Sequence, residues 1–215
     1  MRRCALAADV TVDPKKKQVT AFERTYEEKA GAGAVNGMLN TTGYAVTLMA
    51  KHLIENYGSS NFMLAYNLTE GMWADLWESS LNKFGFTTAV VQQFSQIINN
   101  ANAKGGGNWV AHSQGGVIFA EAMRVNLKNG TSSLANIRVQ FDAGANNRWV
   151  TNGYARQLGV AVNGYRDHPF DLVPQIVGGR GLLNPFKLLG SLAMSPFLAA
   201  GPGLSPHTLP YKEND

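Results

Sequence analysis

Residues 108–116 read Asn108-Trp109-Val110-Ala111-His112-Ser113-Gln114-Gly115-Gly116. An apolar, strand-like approach precedes the serine and a helical pattern over residues 117–127 follows it, so the order is strand, sharp turn, helix. Small residues stand two places before and two places after the serine. A crowded turn requires them, because only small neighbours let the strand and the helix close around it. The alternative is an ordinary serine in the first turn of a helix.

Strand-like and helix-like segments alternate on both sides of this turn. Periodicity predicts helices over residues 43–57, 71–84 and 88–103, and strands over residues 62–66, 137–141 and 158–165. This alternation predicts an α/β fold with a mostly parallel central sheet and helices on both faces.

Residues 1–30 differ from the rest of the chain, being polar, mixed in charge and interrupted by Asp13-Pro14. We therefore expect a leader or linker remnant over residues 1–30 and one folded domain over residues 31–215. The apolar residues 4–8 are too few for the core of a signal peptide, and no run of about eighteen apolar residues occurs. We expect neither a signal peptide nor a transmembrane segment.

The composition excludes several classes of protein. A chain of 215 residues with 45% hydrophobic and 16% charged residues has enough apolar side chains for one globular core. The single cysteine, Cys4, cannot form an internal disulfide, and no Cys/His cluster has the spacing of a zinc site. The net charge is +4 and the only basic run is residues 15–17, so no nucleic-acid-binding face is expected.

The turn at Ser113 resembles the nucleophile elbow of the α/β-hydrolase superfamily, and residues 35–211 resemble its lipase-like branch. Ala111 replaces the first glycine of the usual Gly-x-Ser-x-Gly pattern. The resemblance implies an α/β-hydrolase catalytic domain over residues 31–215, with Ser113 as nucleophile. In that family the acid and then the histidine follow the serine along the chain.

Two histidines and three aspartates downstream are candidates for the rest of a catalytic triad. His207 lies in a loop-like segment near the C-terminus, similar to the family's last catalytic loop, whereas His168 lies too close to the acid candidates. Asp171 resembles the acid of the Asp-x-Val-Pro loop in lipase-type hydrolases. Asp142, at the end of the preceding strand, is the main alternative and Asp167 is the third; each could instead cap its own loop.

The resemblance also implies an oxyanion hole. One donor would be the backbone N–H of Gln114, the residue after the nucleophile, and the other would come from the loop after an early strand. Val35-Asn36-Gly37-Met38 stands where that loop is expected, which makes the Met38 N–H the second candidate. The mechanism needs neither a metal nor an organic cofactor.

These residues predict a serine hydrolase that cleaves carboxylic esters through an acyl-enzyme. Residues 182–204 are rich in Leu, Phe, Met, Pro and Gly, which favours a lipid or phospholipid ester and contact with a membrane surface; ordinary covering helices are the alternative. An amidase, a thioesterase or a peptidase would use the same triad. A binding module with a hydrolase-like fold would not turn over substrate.

A compact lipase-like domain after a charged, linker-like segment resembles the effector modules that bacteria attach to larger toxins. By that analogy the chain would be secreted as part of a larger effector and would attack the membrane lipids of a recipient cell. The producing cell would then need a cognate immunity protein.

Overall fold

The computed structural model describes residues 5–13, 15–16, 18–25, 31–36, 42–67, 89–181, 184–197 and 205–207. Its centre is a seven-stranded sheet in the order β2-β1-β4-β3-β5-β6-β7. The strands are β1 (Ala5–Asp13), β2 (Gln18–Arg24), β3 (Ala32–Asn36), β4 (Asn61–Asn67), β5 (Gly107–His112), β6 (Ile137–Asp142) and β7 (Ala161–Arg166). Strands β3 to β7 pair in parallel, whereas β1 is antiparallel to both β2 and β4.

Helices cover both faces of this sheet. They are α1 (Thr42–Tyr57), α2 (Ala89–Ala103), α3 (Gln114–Lys128) and α4 (Arg148–Leu158), while a fifth helix, α5 (Pro185–Ala193), packs beside the helical turn Val173–Val177. One core lies between α1 and the face that carries Ala34 and Val110, and a larger core lies between α2–α4 and the face that carries Val35 and Trp109. Successive strand residues point to opposite faces, so neighbours in β3 and in β5 enter different cores. The expected α/β fold with a mostly parallel sheet is confirmed.

Within residues 1–30, the strands Ala5–Asp13 and Gln18–Arg24 belong to the sheet, which corrects the prediction of a leader or linker there. Strand β1 pairs with β4 from Ala5 to Thr11, seven of its nine residues. Ala8, Val10 and Val12 are buried while Thr11 is exposed. The folded unit therefore begins well before residue 31. The polar composition misled the prediction because β2 lies at the sheet edge, where its described side chains are largely exposed.

The other predicted elements agree with the structure to different degrees. The helices predicted over 43–57 and 88–103 are confirmed as α1 and α2, and the strands over 62–66 and 137–141 as β4 and β6. The predicted strand over 158–165 begins only at Ala161, because Leu158 is the last residue of α4, a helix that the sequence analysis missed. The helix predicted over 71–84 lies outside the described residues.

Candidate active site

Ser113 links β5 to α3 and adopts a strained backbone conformation. Its φ is 56° and its ψ is −128°, a combination that glycine tolerates and other residues rarely adopt. An ordinary serine at the start of a helix has an extended backbone, and its side chain accepts a hydrogen bond from the helix. Ser113 makes no such bond. The alternative of an ordinary first-turn serine therefore does not fit, and the strain costs about 1–3 kcal/mol.

Backbone hydrogen bonds fix this conformation. The N–H of Ser113 donates to the carbonyl oxygen of Asp142 at 3.2 Å, and its carbonyl oxygen accepts from the N–H groups of Gly116 and Ala145, both at 3.0 Å. The end of β6 thus supports the turn. Fixed positions of this kind allow a reactive group to be preorganised.

Close packing explains why glycines follow the serine. A Cβ atom on Gly115 would lie 2.0 Å from the carbonyl oxygen of Val35, and one on Gly116 would lie 2.5 Å from Oδ1 of Asn146. Both distances are far below van der Waals contact. The first turn of α3 therefore presses directly against the end of β3, and Gly115 is the small residue that the spacing predicted.

Asp171 and His207 form a direct pair. The distance from His207 Nδ1 to Asp171 Oδ2 is 2.8 Å, and the carboxylate is fully buried while 17% of the histidine side chain is exposed. The other carboxylate oxygen, Oδ1, accepts a hydrogen bond from the N–H of Val173 at 3.0 Å. A carboxylate at Nδ1 places the imidazole proton there, which leaves Nε2 able to accept a proton.

His112 connects this pair to the turn. Its Nε2 lies 3.2 Å from the carbonyl oxygen of His207, and the two rings lie 5.0 Å apart between centroids. Because His112 is bonded to Ser113, the loop that carries His207 lies against the residue before the candidate nucleophile. The loop with His207 therefore lies beside the turn, although among the described residues no hydrogen bond joins the Ser113 hydroxyl to His207.

The second candidate acid, Asp142, belongs to a separate buried cluster. Its Oδ2 lies 2.5 Å from Nδ1 of His52 and 2.9 Å from Nη2 of Arg166, and it accepts a further bond from Asn56 at 3.2 Å. Burial alone would raise the pKa of Asp142, but the hydrogen bonds from His52 and Arg166 outweigh burial and hold that pKa well below its ordinary value. Asp142 is therefore a paired carboxylate that supports the end of β6.

His112 lies between the two Asp–His pairs, with its ring centroid 5.1 Å from that of His52. Burial, and then repulsion from His207 and His52, hold the pKa of His112 well below its ordinary value, so the ring is neutral and carries one N–H. That proton lies on Nε2, which faces a carbonyl oxygen. His112 Nδ1 is then an acceptor, yet it faces another acceptor, Asn36 Oδ1, at 3.3 Å. Turning the Asn36 amide by 180° places its Nδ2 donor there instead, and Nδ2 has no other partner among the described residues.

The remaining candidates have other positions. Oδ2 of Asp167 accepts hydrogen bonds from Arg148 and Arg180. Nδ1 of His168 accepts one from the N–H of Phe170 at 3.2 Å. Neither therefore competes with the pair formed by Asp171 and His207.

One of the two predicted oxyanion donors can be placed. Gln114 is fully buried. Because it is the first residue of α3, its N–H lies at the positive end of a fifteen-residue helix. Met38 lies outside the described residues. Val35 does contact Gly115, so the strand that leads towards Met38 ends against the elbow.

Sequence reasoning missed the buried cluster of His52, Asp142 and Arg166. The available signal was a histidine on the apolar face of α1, next to Leu53. Its partner could not be identified, because Asp142 is 90 positions away along the chain.

Comparison with known proteins finds no matching family model, no matching curated protein and no matching solved structure.

Proposed function

We propose that this chain is a serine hydrolase of the α/β-hydrolase type that cleaves carboxylic esters through an acyl-enzyme on Ser113. The observation that carries the proposal is the strained strand-to-helix turn at Ser113, together with the Asp171–His207 pair on a loop that contacts the preceding residue, His112. The order of serine, acid and histidine along the chain agrees with this class of enzyme.

The reaction follows from the roles of these three residues. His207 Nε2 takes the hydroxyl proton of Ser113 while its oxygen bonds to the acyl carbon, and the same nitrogen then protonates the leaving alcohol. Asp171 holds the tautomer and stabilises the charged imidazolium. Water, activated by His207, releases the acid and restores the serine. Backbone donors at Gln114 and Met38 would stabilise the oxyanion, each worth about 2.7–4 kcal/mol on the scale of a measured hydrolase.

An outward-facing apolar stripe on α5 supports a lipid ester as the substrate. Phe186 is 83% exposed, Leu189 64% and Leu192 48%, and the spacing of three residues places them on neighbouring turns. Exposed apolar side chains on one helix favour contact with a lipid surface. No helix among the described residues is long and apolar enough to cross a bilayer, so this contact would be peripheral.

Substrate profiling tests the proposal. We expect hydrolysis of p-nitrophenyl esters, and faster turnover of a long-chain ester once it forms an interface. Ser113→Ala should abolish both activities, while Ser132→Ala, at an exposed loop position, should change neither. Preference for amides or thioesters would assign the same residues to an amidase or a thioesterase. A chain without any turnover would contradict the proposal and favour a binding module.

We also propose, on the analogy with effector modules, that the chain acts on the membrane lipids of other bacteria. Expression in the cytoplasm of a bacterial host without an immunity protein should then lower viability, and Ser113→Ala should restore it. Harmless expression of active enzyme would contradict this role.

A further inference from the structure

A second polar site lies beside the candidate active site. It is an open cavity of about 510 Å³ between the loop after β7, residues 175–180 and the first turns of α4 and α5. Arg180 in its wall donates to the carbonyl oxygen of Gly144 at 3.4 Å, and the next residue, Ala145, donates to the carbonyl oxygen of Ser113 at 3.0 Å. Arg180 is therefore connected to the turn at Ser113 through the backbone of Gly144 and Ala145.

Positive charge dominates this cavity. Arg148, Arg180 and Lys187 line it against a single carboxylate, Asp167. Asp167 Oδ2 accepts from both guanidinium groups, which holds them together. Both guanidinium groups also lie over the ring of Tyr165, at 4.7 Å for Arg148 and 5.8 Å for Arg180. One carboxylate thus leaves two fixed arginines incompletely neutralised.

Both arginines also carry unpaired donors beneath the surface of the cavity. Nε of Arg148 and Nε of Arg180 are buried and have no hydrogen-bond partner among the described residues, and only 14% of the Arg180 side chain is exposed. Burial, followed by repulsion from Arg148, lowers the pKa of Arg180 to about 9. A bound anion would relieve the repulsion between the two guanidinium groups.

Two helix N-termini add to the positive potential. Asn147 caps the eleven-residue α4 and Asn184 caps the nine-residue α5, and both cap residues line the cavity. The positive ends of helix dipoles favour anions such as phosphate.

Two exposed aromatic side chains, one lining the cavity and one next to a lining residue, favour a lipid over a soluble anion. Trp149 lines the cavity and is 82% exposed. Phe186, next to Lys187, belongs to the exposed stripe of α5. Aromatic side chains around a basic site match the boundary between lipid headgroups and acyl chains.

We propose that this cavity binds the phosphate group of an anionic lipid headgroup and so directs the proposed esterase to anionic phospholipids. This inference rests on the proposed function for its catalytic part and on the cavity alone for its binding part. Arg180, which lines the cavity, contacts the backbone segment that supports Ser113, so we expect a phosphate bound here and an ester bond of the same lipid to be accommodated together.

Vesicle binding by a chain that cannot turn over the lipid separates binding from catalysis. Ser113→Ala protein is sedimented with vesicles of phosphatidylcholine alone, or of phosphatidylcholine with phosphatidylglycerol. The binding variant adds Arg148→Gln and Lys187→Gln. The matched control adds Arg156→Gln and Lys128→Gln, two exposed positions that do not line the cavity and that remove the same charge.

We expect phosphatidylglycerol to increase binding, and the binding variant to lose about tenfold in affinity, while the control retains most of it. Equal losses in the two variants would overturn the site and leave only bulk charge attraction. In the active chain, the cavity substitutions should lower phosphatidylglycerol hydrolysis by about the same factor and leave p-nitrophenyl butyrate hydrolysis unchanged. A parallel loss on both esters would overturn a role in headgroup selection.

Glycerol 3-phosphate distinguishes the source of the phosphate. Weak competition at millimolar concentration, together with tight binding to phosphatidylglycerol vesicles, supports the lipid. Tight binding of glycerol 3-phosphate to a chain that ignores phosphatidylglycerol overturns it. If the chain binds these vesicles selectively but hydrolyses no ester, the proposed function fails and the binding site stands.

Discussion

Substitution of Gly115 by alanine tests the elbow most sharply. The new Cβ would lie 2.0 Å from the carbonyl oxygen of Val35 and 2.6 Å from its carbonyl carbon. Both atoms are backbone atoms of a buried central strand, so the strand or the helix must move. Overpacking of this kind costs typically about 1–3 kcal/mol. The displaced turn would also move the hydroxyl of Ser113, so esterase activity should fall more than stability.

Gly153 provides the matched control. It lies within α4, and an added Cβ would meet no atom within 4 Å. Gly153→Ala should stabilise the chain by about 0.5–1 kcal/mol, because alanine loses less backbone entropy in a helix. Urea unfolding followed by circular dichroism measures both changes, and p-nitrophenyl butyrate reports the activity. If Gly115→Ala matches Gly153→Ala in both stability and activity, the close approach of α3 and β3 does not exist.

Three further predictions concern the buried histidines and aspartates. Asp142→Asn removes the buried carboxylate to which His52, Arg166 and Asn56 donate and should cost roughly 1–3 kcal/mol at pH 7, against about 0–1 kcal/mol for the exposed Glu55→Gln. The pKa of Asp142 in the folded chain lies below its unfolded value near 3.9, so this stabilisation is present above about pH 4 and is lost as the pH falls further. Urea unfolding should therefore show a smaller stability difference between wild type and Asp142→Asn at pH 3 than at pH 7. His112 remains neutral in the folded chain but binds a proton below about pH 6.5 in the unfolded chain, so the free energy of unfolding should fall from pH 7 to pH 5 by up to about 1.4 kcal/mol per pH unit. Urea unfolding of His112→Gln should show a weaker dependence of stability on pH. Asp171→Asn would favour the wrong tautomer of His207 and should lower kcat about 10⁴-fold with little change in the far-ultraviolet circular dichroism spectrum; an unchanged kcat would exclude Asp171 as the acid.

Local patterns predicted the parts of the fold that carry strong periodicity. Helix α1 and the strand-turn-helix at Ser113 follow from apolar spacing alone. Helix α4 was not predicted because it buries only Thr151, Ala155 and Leu158, and the first two residues contribute little to a hydrophobic periodicity. Strand β1 carried a readable alternation at Ala8, Val10 and Val12, but the charged residues around it favoured a linker.

The residues of the candidate site also differ in how far the sequence could predict them. Ser113 and its glycine could be predicted because a crowded turn restricts adjacent residues. The choice among Asp142, Asp167 and Asp171 could not be fixed from the chain, since it depends on which positively charged or imidazole group each carboxylate meets after folding. In the structure, Asp142 contacts His52 and Arg166, Asp167 contacts Arg148 and Arg180, and Asp171 contacts His207.

Covalent trapping tests the role of Ser113 most directly. The chain is treated with a fluorophosphonate probe, digested, and analysed by mass spectrometry to locate the adduct. We expect one major adduct on the hydroxyl of Ser113, formed much more slowly in the His207→Ala variant. An unlabelled Ser113 in a folded chain, or a major adduct on another residue, would contradict it.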